Sequence, residues 1–349
     1  MTDKGSNHMA TPPPLADLLF PSRDATFASI IRELSERETG PAADNLVSNE
    51  DSYPRVAAEV ARLCPPGQVY LGVGPDQNFT ILAHTKPRLA FVMDYRRRNL
   101  LLHLVHKALF TLSTNRVAYL TRLTARRPGR LASDPSADDL VTAFSEAKFD
   151  RRLLETTQAE MAAILQPLGV LTEPEWKPLA TIQAKLAGPG MNARFLALPM
   201  YPTLGKLVRT RDRQGAPAHL LASEDRYQFV RELQQGDRLI PLVGDFSRPP
   251  SLSKVGDWLR AHSLRLALLY VSDVEFFLIR AGRFASYVES LAGLPWAEGA
   301  QVVRTSTREI AHPDRTPGDS STTVLQSIAM FLKLARSGAI KTVEDLFPR

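Results

Sequence analysis

The chain has 349 residues, 44% of them hydrophobic, a formal net charge of +6 and one cysteine. That length can bury a large core as one elaborated domain or two, and the lone Cys64 excludes an internal disulfide or a CxxC zinc site and fits a reducing cytosol. The longest apolar run, Leu264–Ile279, is interrupted by Asp273 and Glu275 and is too short to span a bilayer, so a cytoplasmic protein without a membrane partner is expected.

Residues 1–14 read as a tag-like opening, MTDKGSNHM, and a flexible TPPP lead-in, and are set aside. A helix is expected over Leu15–Glu38. The segment NLVSNEDSYPRV (Asn45–Val56) is dense in polar groups and precedes a helix at about Pro54–Leu63. Its Asp51 or Ser52 can cap that helix, while Asn49, Glu50 and Tyr53 are placed to reach a pocket. Strand one is expected at Gln68–Gly72 and strand two at Arg88–Asp94. Helix Tyr95–Leu112 follows, with Leu100, Leu101, Leu104, Val105, Ala108 and Leu109 at helical spacing. His103 and His106 share one face of it, but no third ligand is evident and no metal site is expected.

Asp94 and Asp245 lie 151 positions apart, which leaves over a hundred residues beyond a plain crossover. This stretch carries helical patterns at Asp138–Leu168 and Glu224–Gln235 and a Pro/Gly-rich region from Pro167 to Pro202. It reads as a mostly helical cap over 113–236, joined through Tyr201-Pro202-Thr203-Leu204. Strand three is expected at Arg238–Gly244, although Pro241 weakens it. Strand four is expected at Arg265–Val271 and strand five at Gln301–Arg304. Helical stretches at Ser251–Ala261 and Phe276–Leu291 separate them, and Val324–Leu346 reads as a packing helix broken near Gly338. The expected fold is therefore α/β. It is a doubly wound, mainly parallel sheet with a helical N-terminal extension, its two halves at 15–112 and 237–349 flanking the cap insertion.

The positive charge is dispersed. Arg96–Arg98, Arg126-Arg127-Pro128-Gly129-Arg130 and Arg209–Arg213 lack interleaved aromatics, and Asp212 interrupts the last, so solvated surface is expected rather than a nucleic-acid face.

The most informative run is VYLGVGPDQNF (Val69–Phe79) followed by LAFVMDYRRRN (Leu89–Asn99). It reads as strand, glycine turn, helix, and second strand ending in an acid. Asp94 lies 20 residues after Gly74, near the spacing of about 20 for a ribose-binding carboxylate. Counting G-x-G-x-x-G from Gly72 puts Gln77 where a dinucleotide fold needs its third glycine, which damages a nicotinamide reading. The bland alternatives are an ordinary βα turn and, for Asp245, a cap on the next helix.

The pattern resembles the class I S-adenosylmethionine-dependent methyltransferases, with an atypical first motif: Tyr70 stands where a leading acid is usual, and Asp76 at the third glycine. The resemblance implies S-adenosylmethionine held at Gly72, Gly74 and Asp94, with Asp76 and Asn78 toward its amino-acid end. It also implies that Asp245 accepts from the adenine amino group, that Phe246 lies against the purine, and that Ser272 with Asp273 and Glu275 borders the transfer centre. Candidate groups to remove a proton or stabilise the cation are Glu275, Tyr201 and Tyr53, with Asn99 positioning. The expected function is a small-molecule transferase, by methyl transfer. Loss of another sulfonium substituent, such as ring closure of the aminobutyrate arm to azetidine-2-carboxylate and methylthioadenosine, stays open. So does a non-catalytic nucleotide- or RNA-binding module. Oligomeric state is not legible.

Overall fold

The computed structural model describes residues 26–39, 45–64 and 66–347. The tag-like opening and the first part of the Leu15–Glu38 helix lie outside the described residues. Within them the chain starts with α1 (Phe27–Leu34), closed at its N-terminus by a capping box between Thr26 and Ser29. Next comes α2 (Tyr53–Leu63), with Pro54 in its first turn. Then β1 (Val69–Gly72), α3 (Gln77–Thr85), β2 (Leu89–Asp94) and α4 (Arg97–Leu112) form the βαβα run. Both strands are buried along their whole length, which is why they are unbroken apolar runs rather than alternating ones.

The insertion contains α5 (Arg116–Thr124), α6 (Ala137–Glu146), α7 (Arg151–Leu165), α8 (Trp176–Ala187), α9 (Leu204–Arg209) and α10 (Glu224–Gln235). The one helix expected over Asp138–Leu168 is thus two. Ala147 leaves α6 in extended conformation, Phe149 bridges back to Arg126, and the Asp150 carboxylate caps the Leu153 N–H to start α7.

The chain ends with β3 (Leu239–Val243), α11 (Pro249–Ala261), β4 (Leu266–Ser272), α12 (Val274–Arg280), α13 (Phe284–Ala292), β5 (Trp296–Ser306), β6 (Thr322–Ser327) and α14 (Ile328–Arg336). Gly282, at φ +66°, divides the helix expected over Phe276–Leu291. The Val324–Leu346 segment begins as a strand: the β-branched run Thr322-Thr323-Val324 pairs with β5, and the helix starts only at Ile328.

The six strands run in the order β3-β2-β1-β4-β5-β6, the first five parallel and β6 antiparallel at the edge. Helices α2, α3, α4 and α10 pack as one contiguous layer and α11, α13 and α14 as another, so the sheet is covered on both faces. This is a Rossmann-like α/β architecture. Pro241 is tolerated because β3 is outermost and must pair only with β2. Its open side is covered after α1, where Glu36 N–H donates to the Val243 carbonyl (2.8 Å) and Val243 N–H to Ser35 Oγ (3.1 Å). The order reverses between β1 and β4, and open α/β sheets bind ligands outside the carboxyl ends of their strands at such a switch point. Among the described residues no helix is long and apolar enough to cross a membrane.

Candidate functional site

A cavity of about 590 Å³ opens at that switch point. Four strand ends supply its floor: Val73-Gly74 after β1, Asp94 to Arg96 at β2, Gly244 to Ser247 after β3, and Ser272 to Val274 at β4. Phe195 and Tyr201 from the insertion, packed edge to face at 4.8 Å, and Asn45 and Asn49 from the segment before α2 also form its walls. Of the residues singled out in the sequence, Gly74, Asp94, Asp245, Phe246, Ser272 and Tyr201 meet here.

The glycine turn explains its own composition. Gly74 sits at φ +86°, a left-handed conformation that calls for glycine, and a Cβ there would also displace the Gln77 amide, 2.5 Å away. A Cβ on Gly72 would collide with the Asn78 amide oxygen and the Tyr70 hydroxyl, which bond to each other at 2.6 Å. Asn78 Nδ2 donates to the carbonyls of Val73, Gly74 and Pro75. Gly72 and Asn78 therefore build the turn from inside and do not line the cavity, contrary to the roles implied for them. Asp76 is also displaced: half-buried, it accepts from Ser48 N–H (2.8 Å) and faces a separate small void beside His106 and His219. Burial pushes its carboxyl up to about 6.

Asp94 projects from the end of β2, its carboxylate engaged by a neighbour two residues on. Oδ1 accepts from the Arg96 backbone N–H (3.0 Å) and Nε (2.8 Å), and Oδ2 from Arg96 Nη2 (2.8 Å). A carboxylate offers about four lone-pair sites, so one on Oδ2 remains for a ligand and two more open, one on each oxygen, when the Arg96 side chain swings away. Asp245 accepts the Ser247 N–H (2.8 Å), and Ser251 Oγ meets its own N–H (2.9 Å). It shapes the turn after β3, whereas the N-cap of α11 is Arg248.

Three residues proposed for catalysis stand elsewhere. Tyr53 is fully buried at the start of α2. Asn99 is buried in the first turn of α4, and neither of its side-chain polar atoms has a hydrogen-bond partner. Glu275, on α12, is locked in an ion pair with Arg304 (2.6 Å) under a separate cavity of about 130 Å³. Asn99 and Glu275 lie close in sequence to the ends of β2 and β4 but belong to the helices that follow, and neither lines the main cavity. His103 meets the Gly74 carbonyl (2.9 Å) and His106 the Tyr119 hydroxyl (2.8 Å), both among aromatic rings. Among the described residues no cluster of three or more metal-type ligands occurs.

Glu50, expected with Asn49 to reach a pocket, is a buried acid behind the cavity, joined to it through Ser272. Glu50 is fully buried and accepts from the hydroxyls of Tyr270 and Ser272, both on β4. Burial and the neighbouring Asp273 push its carboxyl up to about 7. Asp273, itself raised chiefly by burial, lines both cavities. Ser272 joins the two acids from a left-handed backbone, φ +55°, a conformation sparsely populated outside glycine and concentrated at functional sites. The signal was the polar density of Asn45–Ser52. Its Asp51 and Ser52, read as helix caps, instead bind the chain before and within β6: Asp51 accepts from Ser320 and Ser321, and Ser52 Oγ meets Ser321 and Thr323.

A raised carboxyl has a definite stability signature. Folded Glu50 keeps its proton up to about 7 while an unfolded one loses it near 4.5, so its contribution is full below 4.5 and falls as pH rises through 7. The melting temperature of Glu50→Gln relative to wild type is therefore expected to climb across that window, measured by scanning calorimetry. A flat difference would show that the acid is not desolvated.

The arginine clusters disperse into local pairs: Arg97 with Glu175, Arg209 with Asp138, and Arg213 with Glu59. Arg126 binds the carbonyls of Thr124, Ala187 and Gly188.

Residues 45–346 match the model of the family described as a domain of unknown function, DUF7790, and the chain belongs to that family. No curated protein matches it.

Proposed function

We propose that the switch-point cavity binds S-adenosylmethionine and that the protein is a cytosolic transferase acting on a small molecule. The observation that carries this reading is the charge of the cavity wall. Asp94, Asp245 and Asp273 arrive from the ends of β2, β3 and β4, against Arg96, which is spent on Asp94, and Arg283. Such a wall disfavours the phosphates of a dinucleotide or a nucleoside triphosphate and suits a ligand that combines a diol, a base and a cation. Aromatic groups at Tyr95, Phe195, Tyr201, Phe246 and Phe277 add faces against which a purine or an onium charge can rest.

The residues fit the group. The volume lies within the roughly 300–1,000 Å³ of small-molecule sites. Two residues of the wall, Gln77 and Asn45, each hold a buried side-chain oxygen without a hydrogen-bond partner, which a rotation of the amide would offer to a ligand. Asp94 would take the ribose hydroxyls, Asp245 the adenine amino group, and Phe246 the purine face. The sulfonium supplies an electrophilic carbon when bound. The chain then orients the acceptor and excludes water, and such positioning alone lowers a barrier by several kcal/mol. The walls formed by Phe195 and Tyr201 favour a small acceptor over a polymer. They equally suit a reaction within the adenosyl compound itself.

Calorimetric titration tests the reading. S-adenosylmethionine and S-adenosylhomocysteine are expected to bind at least about tenfold more tightly than NAD, NADP or ATP. The reverse order, or no adenosyl binding, overturns it. Methylthioadenosine released without any acceptor would select ring closure over methyl transfer.

A further inference from the structure

A pair of acids, Glu50 and Asp273, stands along the inner side of the cavity, and among the described residues neither is in a salt bridge. Glu50 is fully buried, whereas Asp273 is half-buried and feels the charge of Arg96, which is itself paired with Asp94. A buried carboxyl without a counter-charge is costly, and Glu50 lies behind an accessible cavity. The groups facing Glu50 are the hydroxyls of Tyr270, Ser272 and Thr305, the carboxylate of Asp273, and the phenols of Tyr53 and Tyr70. None of those groups is cationic. On the cavity wall the carboxylates of Asp94, Asp245 and Asp273 face the guanidiniums of Arg96 and Arg283, so the wall is one positive charge short, which a ligand can bring.

Ser272 connects this pair to the cavity. Its hydroxyl donates to Glu50 Oε1, the residue itself lines the cavity, and its backbone is left-handed. An oxygen so placed can accept one proton as it passes its own inward. We propose that the nucleophile of this site is an amine, drawn to Asp273 as an ammonium and deprotonated through Ser272 to Glu50. The inference rests on the transferase reading above and names its substrate class. The ammonium N–H proton moves to Ser272 Oγ, and the Ser272 proton moves to the Glu50 carboxylate. The freed nitrogen lone pair then forms an N–C bond to the sulfonium-bound carbon, the C–S bond breaks, and its electron pair stays on sulfur. The alkylated ammonium sheds its remaining excess proton to solvent, and Glu50 is regenerated the same way. The amine is either a separate small molecule or the amino group of the adenosyl compound. Glu50 acts through Ser272 and is a positioning and proton-storing residue. Burial tunes it to about 7, so it can both take and return a proton near neutrality.

The test follows S-adenosylmethionine, alone and with a panel of small primary amines and alcohols, across about pH 5.5 to 9. Wild-type turnover is expected to rise through about pH 7 and to consume amines rather than alcohols. Glu50→Gln should lose turnover about 10²–10⁴-fold and lose that rise, with S-adenosylmethionine affinity held within about threefold. Ser272→Ala should behave alike, and Glu50→Asp should restore the rise. Independently of activity, a protonated-carboxyl infrared band titrating near pH 7 should be present in the unliganded wild type and absent in Glu50→Gln. The inference is overturned if Glu50→Gln keeps its rate, if it slows with an unchanged pH profile, if alcohols alone react, or if the infrared band is missing. Tight adenosyl binding without amine turnover overturns the inference and leaves the binding reading standing. Absence of binding removes the reading itself, and the inference with it.

Discussion

Asp94→Ala is expected to weaken S-adenosylmethionine binding about 10²–10³-fold while leaving the protein folded. The carboxylate sits at the end of a fully buried strand, with its Oδ1 fixed by the Arg96 backbone N–H at 3.0 Å. It can receive two ribose hydroxyls, each such charge-assisted bond contributing ~1.5–3 kcal/mol. One hydroxyl finds a free lone pair at once, and the second requires the guanidinium to move. Subtracting that displacement leaves about 3–4 kcal/mol, at about 1.4 kcal/mol per tenfold in affinity. Calorimetry on the folded variant measures it, and unchanged affinity would refute the ribose assignment.

Because Asp94 also anchors Arg96, its removal frees a cation into the cavity, and a loss of affinity has two possible sources. Arg96→Ala separates them. If the carboxylate itself grips the ligand, removing its intramolecular competitor leaves affinity within about threefold of wild type or improves it. If Arg96 is the true contact and Asp94 only holds it, the two substitutions weaken binding alike. Arg96 also lies over the Tyr95 ring at 4.8 Å, so it has a resting place when displaced from the carboxylate.

What was legible in the sequence follows from what burial does to a chain. Leu89–Asp94 and Leu266–Ser272 are buried along every residue, so they stand out as apolar runs whose ends announce themselves with a polar residue. The topology then carries those ends to one crevice, which is why Gly74, Asp94, Asp245, Phe246 and Ser272 assembled as the spacing suggested. Side chains a few residues past such ends were not legible. Asp76 and Asn78 lie where the glycine turn enters α3, and there each helical residue is rotated by about 100° from the last, so spacing alone does not say which of them faces the cavity. Glu50 stood out only as part of a polar segment, and its partners were not legible for another reason: it reaches Ser272 across 222 positions, a pairing no local pattern encodes. The strand at Thr322–Ser327 escaped because its partner, β5, lies behind a loop, and its apolar residues also satisfied a helical stripe.

Glu275→Gln is expected to act on stability rather than on chemistry, at a cost of about 3–5 kcal/mol. Glu275 and Arg304 are both buried, joined through Nε to Oε2 at 2.6 Å and Nη2 to Oε1 at 3.3 Å. The Tyr287 hydroxyl donates to the same carboxylate (3.2 Å), and Arg304 reaches on to Gln326 (2.6 Å) and the Leu346 carbonyl (3.3 Å) beneath the Phe331 ring. One guanidinium thus ties β5 to α12, β6, α14 and the C-terminal turn, and α13 joins through Tyr287. An amide of the same shape leaves that guanidinium buried without its counter-charge, and an unpaired buried ion costs more than the pair ever contributes. Urea denaturation should show a lower midpoint with an unchanged slope. Replacing both partners, as Glu275→Leu with Arg304→Met, should recover most of the loss, since an apolar pair of similar volume needs no compensation. A catalytic Glu275 predicts the opposite pattern: wild-type stability in the glutamine variant, abolished turnover, and no rescue by the double substitution. At a temperature where the variant is folded, its adenosyl affinity should match the wild type, because the ion pair lies under the smaller cavity and leaves the ribose and adenine contacts untouched.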